Sequence, residues 1–164
     1  MSPFIGELIG TTLLILMGNG VVANVVLKKT YGHQAGLIVI GFGWAIAVFA
    51  AVVVSNAASG AHLNPAVTIA NVFLGKISSS TAIMYVIAQL LGAMLGAFLT
   101  YLAYKDHFDS TDDADAIRSS FCTSPAINNS ASNLLTETIA TFAFVFTILH
   151  FAAPDHKLGA LDAL

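Results

Sequence analysis

No Asp, Glu, Lys or Arg occurs between Thr30 and Gly75. Soluble domains carry about 25% charged residues, whereas this chain carries 9%, with 57% hydrophobic residues. Such a run belongs in hydrocarbon. There every backbone N–H and C=O needs a partner inside the protein, so a spanning segment is a helix or part of a closed barrel. One stretch of the run breaks this pattern: Ser59 to Thr68, Ser-Gly-Ala-His-Leu-Asn-Pro-Ala-Val-Thr. Non-helical backbone at membrane depth survives only when it is buried in protein or lines a cavity, and this stretch therefore organises the rest of the chain.

Four segments approach the ~20 apolar residues needed to cross a bilayer: Phe4 to Leu27, Ala35 to Ser55, Ala82 to Tyr104 and Leu134 to Ala153. Between the second and third lies a shorter apolar piece, Pro65 to Leu74. At about 1.5 Å per residue it reaches only about halfway through a bilayer and reads as a half-helix. Lys28 to Gln34 is a short polar turn. Lys105 to Asn133 is a long polar loop, and five of the nine acids fall between Asp106 and Asp115. These features predict an all-α membrane protein of four transmembrane helices and one re-entrant half-helix, a multi-pass protein of the cell membrane.

An internal repeat sharpens the expectation. Phe4-Ile5-Gly6-Glu7-Leu8-Ile9-Gly10-Thr11 matches Leu134-Leu135-Thr136-Glu137-Thr138-Ile139-Ala140-Thr141. Three spans lead from one copy to the other, so the copies enter the membrane from opposite faces, the mark of an inverted-topology repeat. The division follows: residues 1–130 as a first repeat, with three transmembrane helices, the re-entrant loop and the long polar loop, and residues 131–164 as the start of a second. On this reading the second repeat has its first helix and little more, and the chain is expected to be incomplete.

Asn64-Pro65 is a helix-start signal, because Asn is a favoured N-cap and Pro a favoured first helical residue. A helix beginning there turns its unpaired N–H groups and positive dipole end towards the membrane centre, which repels cations and protons. The Asn64 amide can still donate to a neutral hydroxyl. Gly60, Ala61 and His62 cannot all be helical, so their carbonyls are expected to line a path as acceptors. Donors at one point with acceptors along a rail suit small neutral molecules bearing hydroxyls. The plain alternative is an ordinary loop capped by Asn-Pro, and the uncharged surroundings weigh against it.

Glu7 and Glu137 lie within spanning segments, where carboxylates are rare and face the protein interior with partners. Each is expected to accept hydrogen bonds from a re-entrant loop; a proton relay is the other possibility. Trp44 is the only Trp. It falls away from the ends of its segment and suits either packing or a pore wall. Gly6 with Gly10, and Ala88, Gly92 and Gly96, allow close helix approach. Neither a metal-ligand spacing nor a nucleophile–base pair is evident, and a lone Cys122 forms no internal disulfide. Expectations are therefore no enzymatic activity, no cofactor, no metal and no nucleic-acid partner.

Residues Ser59 to Thr68 resemble the first Asn-Pro-Ala box of the aquaporin, or major intrinsic protein, family. Glu7-Leu8-Ile9-Gly10-Thr11 resembles the family's first helix and Ala88-Gln89-Leu90-Leu91-Gly92-Ala93 its third. Trp44, twenty residues before Asn64, and Phe121-Cys122-Thr123-Ser124-Pro125 resemble the glycerol-facilitator branch. The resemblance implies a channel for facilitated diffusion of glycerol and other small uncharged polyols, and also water. It implies that Asn64, Pro65 and Ala66 stand at the pore centre and Trp44 forms a filter wall. Gly60, Ala61 and His62 offer carbonyls, Glu7 braces the first re-entrant loop, and Glu137 a second. It also implies a cytoplasmic N-terminus and a homotetramer at full length, embedded in lipid. The family's second Asn-Pro-Ala box, the filter Arg after it, and the fifth and sixth helices have no counterpart in these residues. The 164-residue chain alone is therefore expected to conduct nothing selectively, as a fragment or truncation would. Competing readings are a water-selective channel, an ion-coupled secondary transporter, a membrane enzyme and a non-conducting structural role.

Overall fold

The computed structural model describes residues 1–151. Among the described residues seven helices follow one another: α1 (Pro3–Val26), α2 (Leu37–Ser59), α3 (Pro65–Phe73), α4 (Ser79–Ala103), α5 (Lys105–Asp109), α6 (Ala114–Ser119) and α7 (Ser130–Phe151). Four of them, α1, α2, α4 and α7, are long and apolar enough to cross a membrane. The last residues of the expected fourth span, Ala152 and Ala153, lie outside the described residues, as does the polar piece from Asp155 to Leu164.

Local chemistry sets the helix ends. Ser2 accepts from Ile5 N and Pro3 opens α1. The Ser78 hydroxyl accepts from Thr81 N at the start of α4. Gly60 ends α2 with φ 78°, a left-handed conformation natural to glycine. The apolar run of the second span stops at Ser55, yet α2 continues to Ser59. Its polar tail is accommodated because Ser55 Oγ donates back to Ala51 O at 2.7 Å, while Ser59 Oγ finds a partner on α1.

Helix α1 lies between α2 and α4, packed closely on both. Small residues make this possible. A Cβ added at Gly92 would lie 2.5 Å from Leu8 O, and one at Gly96 would lie 2.6 Å from Thr12 O, so α4 touches the α1 backbone. A Cβ at Gly10 would lie 2.5 Å from Leu63 Cδ2 and 2.7 Å from Ser55 Oγ, which brings α2 and the following loop equally close. Membrane helices associate through such packing, since lipid supplies no hydrophobic drive between them. The outer faces are apolar, with Phe42, Ile46, Phe49 and Val53 of α2 exposed.

The expected long polar loop is more ordered than its composition suggests: α5 and α6 form within it, and α7 starts at Ser130 rather than Leu134. Phe108 is the reason. It is buried against Ala23 and Leu27 at the end of α1 and fixes α5 there. His107 Nδ1 donates to Lys28 O at 3.1 Å, and Thr111 Oγ1 accepts from Lys28 N at 3.0 Å. Asp113 then caps α6, accepting from Asp115 N at 2.9 Å and Ala116 N at 3.1 Å.

Candidate functional site: a re-entrant loop held by one carboxylate

The chain leaves α2 at Gly60 and re-enters helix at Pro65. Between them the backbone is unusual: Gly60, Ala61 and Leu63 have φ of 78°, 51° and 52°. Positive φ costs a residue with a Cβ about 1–2 kcal/mol, so Ala61 and Leu63 must be held there by other contacts. Asn64 returns to extended backbone, and its Oδ1 accepts from Ala66 N at 2.8 Å, the N-cap of α3. With 9 residues, α3 is about 14 Å long at 1.5 Å per residue, half the thickness of a hydrocarbon core.

Glu7 holds the loop. Its side chain is fully buried, with 0% exposure. Oε1 accepts from Ser59 Oγ at 2.6 Å and from His62 N at 2.9 Å. Oε2 accepts from Leu63 N at 2.7 Å and from Gln89 Nε2 at 2.7 Å. A carboxylate offers about four acceptor positions, and this chain fills all of them.

A second ring of contacts supports the first. Gln89 Nε2 also donates to Thr68 Oγ1 at 2.9 Å, and Thr68 Oγ1 donates to Asn64 O at 3.1 Å. His62 Nδ1 lies 3.1 Å from the same hydroxyl. Because the threonine proton goes to Asn64 O, the Nδ1–H tautomer of His62 donates to Thr68 and completes that hydroxyl's three hydrogen bonds. Tyr85 Oη donates to Ser59 O at 2.8 Å, and its ring meets His62 edge-on at 5.1 Å.

The result is a loop with two unlike edges. Every N–H from Gly60 to Leu63 is used: Gly60 on Asn56 O, Ala61 on Ser59 Oγ, and His62 and Leu63 on Glu7. The carbonyls of Gly60, Ala61, His62 and Leu63 accept nothing from the described residues, and Asn64 Nδ2 donates to none of them. Asn64 and Ala66 open into a cleft of about 380 Å³ whose other wall is Ala140, Thr141 and Phe144 of α7.

Trp44 occupies a different place. It sits in α2 fifteen residues before Ser59, about 22 Å along the axis at 1.5 Å per residue. With Phe121, Cys122 and Thr123 of the α6–α7 connection it lines a separate cavity of about 410 Å³. The indole lies flat against Gly18 of α1, where any Cβ would collide with the ring.

Comparison with known proteins completes the picture. The sequence profile of the major intrinsic protein family matches residues 1–163. The chain belongs to the major intrinsic protein family. It is 48% identical over 153 residues to a probable glycerol uptake facilitator protein of Thermotoga maritima, a match that covers 93% of this chain and 65% of that one. It is 46% identical to a glycerol uptake facilitator protein of Streptococcus pneumoniae, covering 97% of this chain and 68% of that one. Among solved structures, the aquaglyceroporin from Plasmodium falciparum superposes with a TM-score of 0.59 at 37% identity, over 66% of this chain and 43% of that one. The chain thus spans about two thirds of the length of these curated relatives, and it has the all-helical, multi-pass membrane fold of the family.

Within this family member, the residues singled out by sequence separate into three groups. Glu7, Gly60, Ala61, His62, Asn64, Pro65 and Ala66 meet in and around the re-entrant loop. Trp44 stands apart, in the second cavity. Ser59, two loop N–H groups and Gln89 converge on Glu7. Glu137 is exposed on α7 with no hydrogen bond to a described residue, and the second re-entrant loop it is expected to brace does not occur among the described residues. Sequence reasoning gave no role to Ser59, Thr68, Tyr85 or Gln89. Gln89 did carry a signal, as the only amide of its span, because an unpaired amide in hydrocarbon is costly.

Proposed function

We propose that this chain supplies one wall of a membrane channel for facilitated diffusion of glycerol and other small uncharged polyols, with water as a further permeant. The observation that carries this reading is the two-edged loop. Its N–H groups are consumed by the protein, while four successive carbonyls and the Asn64 Nδ2 remain for a permeating hydroxyl. Asn64 stands at the head of α3, whose positive dipole end disfavours cations. Trp44 and the aliphatic wall take the carbon skeleton. The names of the relatives from Thermotoga maritima and Streptococcus pneumoniae support glycerol as the solute. Transport of this kind involves no covalent step and no cofactor.

The second reading, an ion-coupled transporter, needs a carboxylate with room for a proton or cation near the loop. Glu7 is the candidate there, and its acceptor positions are filled. The water-selective alternative differs at Trp44, whose broad apolar face suits a carbon backbone.

We take residues 1–130 as one repeat and residues 131–164 as the start of another, with homotetramers in the lipid bilayer as the working assembly. One half-helix lines one side of a pore. The chain by itself, reconstituted in liposomes, should therefore show no selective, saturating glycerol flux. Fused to the part of the Thermotoga maritima relative that it does not match, it should show such flux. Selective flux from the chain alone overturns the one-wall reading, and a folded fusion that passes no glycerol overturns the solute assignment.

A further inference from the structure

The Trp44 cavity holds a polar group that the reading above does not use. Asn19 lies on α1 immediately after Gly18, the residue on which the indole rests. It is only 7% exposed, it lines the same cavity of about 410 Å³ as Trp44 and Phe121, and its amide makes no hydrogen bond to any described residue. An amide in a membrane interior is costly unless something hydrogen-bonds it, and this one borders a cavity rather than a protein partner. On the same helix Thr12 Oγ1 returns to Leu8 O at 2.7 Å, and Thr11 Oγ1 is buried without a partner among the described residues but lines neither cavity described above. Of the three, Asn19 is the one that lines a cavity.

We propose that Asn19 is a specificity-determining residue that hydrogen-bonds the hydroxyls of a small neutral polyol held against Trp44. The proposal rests on the solute reading given above. An amide offers both donors and acceptors, so it pairs with a hydroxyl in either role, while the adjacent indole face covers the CH groups. Gly18 is what brings the two together, since any side chain there would push the indole away from Asn19. The other occupant for this amide is a polar group of a packed protein segment, and the experiment separates the two.

Trp44 is the sole Trp and reports on its own cavity. The reconstituted chain is titrated with glycerol, and separately with propan-1-ol, while Trp44 emission is followed. Wild type should give a saturable glycerol response. Asn19→Leu should weaken its midpoint about tenfold, the value of about one lost hydrogen bond, and should narrow the preference for glycerol over propan-1-ol. Asn19→Ser, which keeps a hydroxyl, should fall between the two. A purely structural role would leave that preference unchanged. If Asn19→Leu loses helicity, Asn19→Ala is read by the same criteria. Wild-type midpoints and preference in the folded variants overturn the role of Asn19 and leave the solute reading standing. A wild-type chain without any saturable response overturns the role of Asn19 as well, while the solute reading is judged separately by glycerol flux through the fusion.

Discussion

Removing the Glu7 carboxylate should release the re-entrant loop, and the size of the effect follows from its partners. In Glu7→Gln the new amide has one carbonyl oxygen for two pairs of donors. Turned towards Ser59 and His62 N, it abandons Leu63 N; turned towards Leu63 N and Gln89, it abandons His62 N. Either way one buried backbone N–H is left without a partner, which costs about 1–3 kcal/mol. In Glu7→Leu both N–H groups lose their acceptor, so the cost rises to roughly 2–6 kcal/mol. The contacts that remain, Ala61 N on Ser59 Oγ and His62 on Thr68, then face the strain at Ala61 and Leu63, each about 1–2 kcal/mol, without the carboxylate, and the loop should relax towards ordinary backbone. Amide hydrogen exchange of the reconstituted chain reads this directly. Since about 1.4 kcal/mol is a factor of ten, His62 or Leu63 should exchange roughly 5–140 times faster in Glu7→Gln, and both faster still in Glu7→Leu. Amides in the middle of α4 should be much less affected. Wild-type protection of both amides in a folded Glu7→Leu chain would refute the role given to the carboxylate.

Other consequences concern packing and the outer cap. Gly92→Val drives a side chain into the backbone oxygen of Leu8 at a seam with no slack, so it should lower stability by at least about 1–3 kcal/mol, seen as a lower Tm in detergent. Gly41→Ala meets no atom within 4 Å and should be neutral or stabilising by up to about 1 kcal/mol; a comparable loss at both positions would argue against the close α1–α4 contact. Phe108→Ala empties the contact with Ala23 and Leu27 and should cost about 3–5 kcal/mol, with faster amide exchange confined to α5, α6 and the end of α1. Asp112→Asn removes only an exposed ion pair with Lys28 and should change the Tm little, since such pairs contribute under about 1 kcal/mol.

Much of this protein is determined within short stretches of sequence. The uncharged run fixed by Thr30 and Gly75 demands helices in a membrane, because hydrocarbon offers no partner to an open backbone. Asn64 and Pro65 start α3 wherever that segment is placed, since capping depends on neighbours two or three residues away. The glycines of α1 and α4 announce close approach without saying to what. Tertiary structure decided which groups meet. Glu7 and Gln89 stand 82 residues apart in the chain and 2.7 Å apart in space. The repeat makes Glu7 and Glu137 look equivalent; among the described residues donors surround Glu7, and those donors come from α2, the loop and α4, which the local repeat does not record. The same holds for the polar tail of α2, for the helices of the outer loop, and for Asn19. A local pattern records hydrophobicity, caps and turns; hydrogen-bond satisfaction in a low-dielectric interior is settled only by packing, where a residue's partners come from helices distant in sequence.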